Sequence, residues 1–313
     1  MRVLVLGATG VIGRRAVPLM VAAGHEVTAA GRNPARRAAL ERSGASVTEV
    51  DIFDRAAVER AVQGHDAVVN LTTHMPSSLL RTMLPGAFTE NDRIRREGSA
   101  IVSDAAAAAG VGRFVQESFA PVYADGGDRW LDESAPQRPV RYNRTVLDAE
   151  RSAERFGRSG GDWVVLRFAA FYGPDSFLPE LVKLVRKGFT PLPGRAGAYW
   201  SSVSHDDAAA AVVAALSAPS GTYNVCDNEP LTRRELFDAI SDAFGVRRVN
   251  PMPSWIAPLM GSIGKLMARS ERMSNRKLRG TTGWAPRYPS VREGFRATAT
   301  ELAAASQSRR AAA

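Results

Sequence analysis

Short apolar runs alternate with helical patterns through the first half of the chain. RVLVLG, EVTAAG, SVTEVD, DAVVNLT, RFVQES and WVVLRFAAF have the length and branched-residue content of buried strands. Between them, segments such as GRRAVPLMVAAG and IVSDAAAAAG carry helical spacing and end in glycine, as helices tend to. This alternation predicts a parallel sheet with crossover helices. After Phe171 the pattern changes: YGPDSFLPELVKLVRKGFTPLPGRAGAYW is broken by Gly and Pro, the chain returns to the sheet near Val203 to Cys226, and the remainder is mostly helical and basic. The expected fold is α/β, a Rossmann-type doubly wound parallel sheet from residues 1–172 and 201–227. A smaller, mainly helical C-terminal substrate lobe is expected from 173–200 and 228–304, with 305–313 a flexible tail.

At 313 residues, 45% hydrophobic and 23% charged, the chain can bury a sizeable core. No run is long enough to span a bilayer, and the start MRVLVLGATG lacks the basic region and cleavage site of a signal peptide. A cytoplasmic protein without membrane association is therefore expected. The net charge of +9 raises nucleic acid as a partner, but the basic groups GRNPARR, RIRR and RSERMSNRKLR are scattered and lack interleaved aromatics. Apart from Arg32, taken up below, they fit solvated faces, and no nucleic acid is expected. The single cysteine, Cys226, excludes an internal disulfide and a cysteine-rich metal site; at the end of the apolar run TYNVCDN it fits a buried structural thiol.

The first strand runs into GATGVIG, which sets Gly7, Gly10 and Gly13 between strand and helix. Glycine permits the tight turn and close backbone approach, and the free amides of the helix start attract a pyrophosphate. In this context Gly7, Thr9, Gly10, Val11, Ile12 and Gly13 form a dinucleotide cradle; a merely structural turn is the plainer alternative. An NAD site would end the second strand in an acidic residue for the ribose hydroxyls. Here the strand ends in Gly31 and Arg32, with Arg14 after the glycine loop, and fixed positive charge suits a 2′-phosphate, so NADP is expected ahead of NAD. Arg36 and Arg37 are read as decoration of a helix.

With GATGVIG, VTEVDIFD, VVLRFAAFYGPDS, SVSHDDAAAAVVAAL, GTYNVCDNEPLTRREL and GWAP, the chain resembles the extended and atypical short-chain dehydrogenase/reductase superfamily over nearly its whole length. The resemblance is to proteins of the epimerase/dehydratase type. It implies that Asp51 and Ile52 flank the adenine, Leu71 and Thr72 line the adenosine side, and Phe171 and Tyr172 lie near the nicotinamide. Redox members of this family use Tyr and Lys four apart on one helix, plus a Ser or Thr after the fifth strand. That spacing places an ammonium beside a phenol whose pKa is otherwise about 10. This sequence keeps the tyrosine, Tyr142 in RYNRTVLDAE, but has Val146 in place of the lysine. Phe119 occupies the serine position, with Ser118 one residue before it. The triad is incomplete. Tyr142 reads either as an active-site wall residue at a helix start or as the first apolar rung of a stripe with Val146, Ala149, Ala153 and Phe156.

Other polar groups follow strand ends and belong on the ligand side of such a sheet: His74, Glu117, Ser118 and Tyr123. His74, as a histidine, offers an acid or base, or is an ordinary surface residue. Glu117 offers a base if desolvated, or pairs with an arginine. Tyr142, Ser118, His74 and Glu117 are thus the catalytic candidates. His205, Asp206 and Asp207 precede a helix, where N-capping explains the aspartates better than metal ligation. Arg195 and Trp200 lie in the stretch that folds over the substrate in relatives, and join His74, Tyr123 and Tyr142 as substrate-binding candidates. The implied function is an NADP-binding oxidoreductase-like enzyme acting on a small organic substrate without the usual Tyr–Lys relay. The alternatives are a non-redox elimination, epimerisation or cyclisation, and a non-catalytic NADP-binding sensor or scaffold. Relatives pair through helices around Arg93 to Ala109 and Tyr142 to Phe156, so the resemblance also raises a homodimer.

Overall fold

The computed structural model describes residues 1–84 and 86–311. The chain begins with β1 (Arg2–Leu6), α1 (Gly13–Ala22), β2 (Glu26–Ala30), α2 (Pro34–Arg42), β3 (Ser46–Thr48), α3 (Arg55–Val62) and β4 (Ala67–Asn70). Next come α4 (Thr89–Arg93) and α5 (Ser99–Ala108), joined by a π-helical turn over Ile94–Gly98. The middle holds β5 (Arg113–Phe119), β6 (Trp130–Leu131), α6 (Val146–Arg158), β7 (Asp162–Phe168), β8 (Ala170–Tyr172) and α7 (Leu178–Arg186). It continues through β9 (Tyr199–Trp200), β10 (Ser202–Ser204), α8 (His205–Ala214) and β11 (Gly221–Val225). The last part contains β12 (Leu231–Thr232), α9 (Arg233–Phe244), α10 (Gly261–Met267), β13 (Arg272–Met273), α11 (Arg276–Thr282) and α12 (Val291–Ala311).

Seven parallel strands form the central sheet in the order β11-β7-β5-β4-β1-β2-β3. The chain winds outward through β2 and β3, then crosses back to β4, so the order reverses between β1 and β4. Loops at the carboxyl ends of those two strands part to opposite faces and leave a crevice. Both faces are covered, which is why the strands are apolar throughout. In β1, Val3 and Val5 join the core under α1 and α8, whereas Leu4 and Leu6 join the core under α3, α5 and α6. This is the two-residue period of a strand acting on a sheet buried on both sides.

A third apolar cluster lies beyond the sheet. Leu178, Val182 and Val185 of α7 pack with Leu236, Phe237 and Ile240 of α9 and Val291 and Phe295 of α12. Not all of the expected lobe belongs to it: Met273, Leu278 and Trp284 enter the core beneath the sheet instead. The C-terminal segment expected to be a flexible tail continues α12 to Ala311, while Ala312 and Ala313 lie outside the described residues. Cys226 is buried just past β11, with Sγ 3.6 Å from the Met273 carbonyl oxygen. Among the described residues no helix is long and apolar enough to cross a membrane.

The helix that was to carry Tyr142 begins later than its sequence pattern suggests. Arg141 to Thr145 form turns, and α6 starts at Val146. Asn143, fully buried, diverts the chain: its Oδ1 accepts from Val140 N–H at 2.9 Å and its amide donates to the Pro121 carbonyl. Tyr142 and Val146 therefore do not share a helical face.

Candidate active site

The crevice opens into a cleft of about 730 Å³ that runs from the glycine loop to the third apolar cluster. Gly7, Gly10, Val11, Ile12 and Gly13 form its first wall. The turn is so tight that a Cβ on Gly7 would lie 2.7 Å from the Leu71 carbonyl oxygen, at φ +76°, and one on Gly13 would lie 2.5 Å from the Gly7 oxygen. Only glycine fits, and the loop delivers the first turn of α1, whose leading N–H groups have no partner within the helix. These residues fit a dinucleotide pyrophosphate, the anion that such a helix start holds.

Around the cradle, the structure places the remaining cofactor candidates unequally. Leu71 and Phe171 line the cleft, and Phe171 packs 5.8 Å from His205, ring to ring. Thr9 lies against Gly31, where a Cβ would approach its side chain to 2.3 Å. Arg32 is exposed just past β2. Arg36, read from sequence as decoration, donates to the Thr9 carbonyl at 3.0 Å and lines the cleft. Asn33 puts it there by capping α2, accepting from the Arg36 N–H at 2.9 Å. Arg37 pairs with Glu49 at 3.0 Å. Arg14 is bound by Asp175, which also pairs with Arg15 at 2.8 Å, so its charge is already matched. Burial pushes the Asp175 carboxyl up, but hydrogen bonds and charge from Arg14 and Arg15 prevail and bring it to about 2. Asp51 is exposed and accepts from Phe53 N–H at 3.0 Å; Ile52 is buried against Gly98 of the π-turn. Thr72 donates its hydroxyl proton to Asn70 Oδ1 at 2.5 Å.

Of the catalytic candidates, Tyr142, Glu117 and His74 line the cleft together. Tyr142 stands edge-on to Phe88 at 4.4 Å and to Phe119 at 6.5 Å. Burial pushes its phenol up to about 12, against the pull of Arg95. Arg95, read in the sequence as part of the solvated basic group RIRR, is buried instead. The π-turn buries it to 6% exposure, with Nη2 3.5 Å from Glu117 Oε1 and Nε without a partner. Glu117 Oε2 is also unpartnered, and burial raises its carboxyl above the usual range despite Arg95. His74 is exposed on the loop after β4, its N–H donating to Asn91 Oδ1 at 3.0 Å. That loop is tied to the lobe by Leu79 N–H, which donates to Glu180 Oε2 at 2.8 Å.

Four expectations are corrected. Ser118 is fully buried and donates to Glu150 Oε1 at 2.6 Å, because the strand pleat turns it away from the face that Glu117 and Phe119 present. Tyr123 is fully buried in the same network: Arg167 donates to its hydroxyl at 2.9 Å, and that hydroxyl donates to Asn224 Oδ1 at 2.6 Å. Arg167 also grips Glu150 through Nε at 2.8 Å and Nη2 at 2.6 Å. The network pins β5, β7, β11 and α6 together, and none of its residues lines this cleft. Arg195 is 65% exposed and stands 3.8 Å from Asp125, outside the cleft wall, whereas Trp200 lines it. The N-cap of α8 is Ser204, not an aspartate: its Oγ accepts from Asp207 N–H at 3.0 Å. Asp207 instead accepts from Arg287 N–H at 2.5 Å, and Asp206 pairs with Arg15 at 3.0 Å. Burial, aided by Arg15, depresses the neighbouring His205 to about 3, leaving it a neutral wall residue. Among the described residues no group of acidic, His or Cys side chains has metal-holding geometry.

A family model described as NAD(P)H-binding matches residues 7–219. The chain is 34% identical over 310 residues to the 3-diazoavenalumate denitrifying reductase of a Streptomyces species, spanning 94% of this chain and 99% of that one. The structure of Thermus thermophilus UDP-glucose 4-epimerase in complex with NAD matches with a TM-score of 0.75 and 27% identity, covering 96% of this chain and 98% of that one. That of a human epimerase family protein with NADPH has a TM-score of 0.78 at 22% identity, over 96% and 99% of the two chains, a likeness of fold. The glycine cradle, the sheet order and these matches agree: the chain belongs to the NAD(P)H-binding family of the short-chain dehydrogenase/reductase superfamily.

Proposed function

We propose that the protein reduces a small organic substrate with a large apolar body, preferring NADPH to NADH. The observation that carries this reading is the one continuous cleft in which the glycine cradle opens into a chamber walled by Phe177, Leu178, Leu192, Leu236, Ile240 and Phe295. Such walls favour an apolar or aromatic group by roughly 25 cal/mol per Å² buried. The relative that matches along nearly its whole length is named a reductase, which supports the same reading. NADPH, when bound, supplies the hydride.

The chain's own residues supply orientation and the proton. Arg32 and Arg36, with no acidic residue at the end of β2, favour a 2′-phosphate. Tyr142, held at about 12, stays protonated at neutral pH and serves as a hydrogen-bond and proton donor to charge developing on the substrate, not as a base. Arg95 contributes from the π-turn the positive charge that a lysine at position 146 would have brought. The test is loss of NADPH absorbance with a panel of aryl and alkyl ketones, enones and aryl diazo compounds. Oxidation with an apolar member is expected. Tight NADPH binding without oxidation by any member would make the protein a cofactor-binding sensor.

A further inference from the structure

The lobe end of the chamber holds charged groups that hydride transfer leaves without a task. Arg269 and Glu271 both line it, among Leu236, Ile263, Leu266 and Met267. Arg269 Nη1 donates to the Tyr123 carbonyl at 2.8 Å. Arg269 and Arg233 are the cations that act most on Glu271, yet its buried Oε1 accepts no hydrogen bond. Arg233 is 0% exposed behind Trp200, with its guanidinium 5.0 Å from the indole ring. Its Nη2 donates to the carbonyls of Met267 and Arg269, while Nε and Nη1 have no partner. Asp125, Arg138 and Arg195 complete the charged surroundings, in which cations outnumber carboxylates. Buried polar atoms without partners are costly, and of these Glu271 Oε1 belongs to a residue of the cleft wall, where a ligand can supply a partner.

We infer that this corner is a carboxylate subsite: Arg269 pairs with the carboxylate of an apolar organic acid, and protonated Glu271 donates a second hydrogen bond to it. The inference rests on the reductase reading and narrows its substrate to an aromatic or otherwise apolar monocarboxylate. A cationic ligand would meet the arginines. Burial, opposed by Arg269 and Arg233, pushes Glu271 up to about 8, so at neutral pH it is a donor. Arg233 acts indirectly, by holding Trp200 and the carbonyls ahead of Glu271.

Calorimetric titration of the NADP⁺ complex with benzoate, cinnamate and 5-phenylpentanoate, each against its methyl ester, tests the subsite. At least one acid should bind about tenfold tighter than its ester near neutral pH. That preference should vanish in Arg269→Gln and weaken in the native protein as pH passes about 8. Glu271→Gln, which keeps an N–H donor, should retain the preference and lose the pH dependence. NADP⁺ affinity should be unchanged in both variants, which shows that the fold is intact. Esters binding as well as acids, or a preference that survives Arg269→Gln, would overturn the subsite, whatever the NADPH assay gives. An acid preference without NADPH oxidation would instead overturn the reductase reading and leave the subsite standing.

Discussion

Tyr142 owes its setting to neighbours that are remote in sequence: Phe88, Phe119 and Arg95, not the side chain four residues on. If it donates the proton, Tyr142→Phe should lower turnover by about 10²–10⁴ with NADPH affinity preserved; unchanged single-turnover rates would place the donor elsewhere. Arg32→Glu should weaken NADPH about tenfold to a hundredfold relative to NADH, the loss of a charge-assisted hydrogen bond to phosphate. Equal affinities before and after, measured by fluorescence titration, would reassign the 2′-phosphate contact to Arg36. The glycine cradle was legible because strand, loop and helix signals coincide within a dozen residues. Arg95 and Glu271 were not, since their importance lies in being buried with atoms unpaired, which no local pattern records. Ser118 was misread by one position in the pleat, enough to turn it from cleft to core.

Among elements, the strands were readable because both sheet faces are buried and the runs are apolar throughout. The start of α6 was not, because one buried asparagine holds the preceding residues in turns. Elements are joined by the buried Arg167–Glu150 pair, which with Ser118, Tyr123 and Asn224 links β5, β7, β11 and α6. Arg167→Met should cost about 3–5 kcal/mol in urea unfolding, because Glu150 is left buried and unpaired. Replacing both partners with apolar residues should return much of that loss; equal losses in the single and double variants would deny the coupling. The π-turn at Ile94–Gly98 carries one residue more than an α-helical turn would. Deleting a residue there would rotate Arg95 by about 100° around the helix, away from Glu117.

For the whole molecule, buried titratable groups set the pH range of stability. Glu271 is raised from 4.5 to about 8 in the folded protein, so the folded state holds the proton more tightly. Its contribution is present in full below about 4.5 and is lost as pH rises through about 8. His205 works oppositely: lowered from 6.5 to about 3, it contributes above 6.5 and loses that contribution as pH falls toward 3. The unfolding temperature of the ligand-free protein should therefore fall between pH 6.5 and 8, and Glu271→Gln should flatten that fall. A slope unaltered by the substitution would assign it to other buried acids such as Asp227.

The late return of the chain to the sheet core has a consequence for synthesis. Trp284 is buried against the core and its indole donates to the Asp207 carbonyl at 3.2 Å, while Arg287 N–H reaches the Asp207 carboxylate. On the ribosome, the part of that core beside α8 which Trp284 covers stays open until those residues emerge, after most of the chain has been made. A nascent chain stalled before Trp284 should expose that surface and need a chaperone to stay off its neighbours.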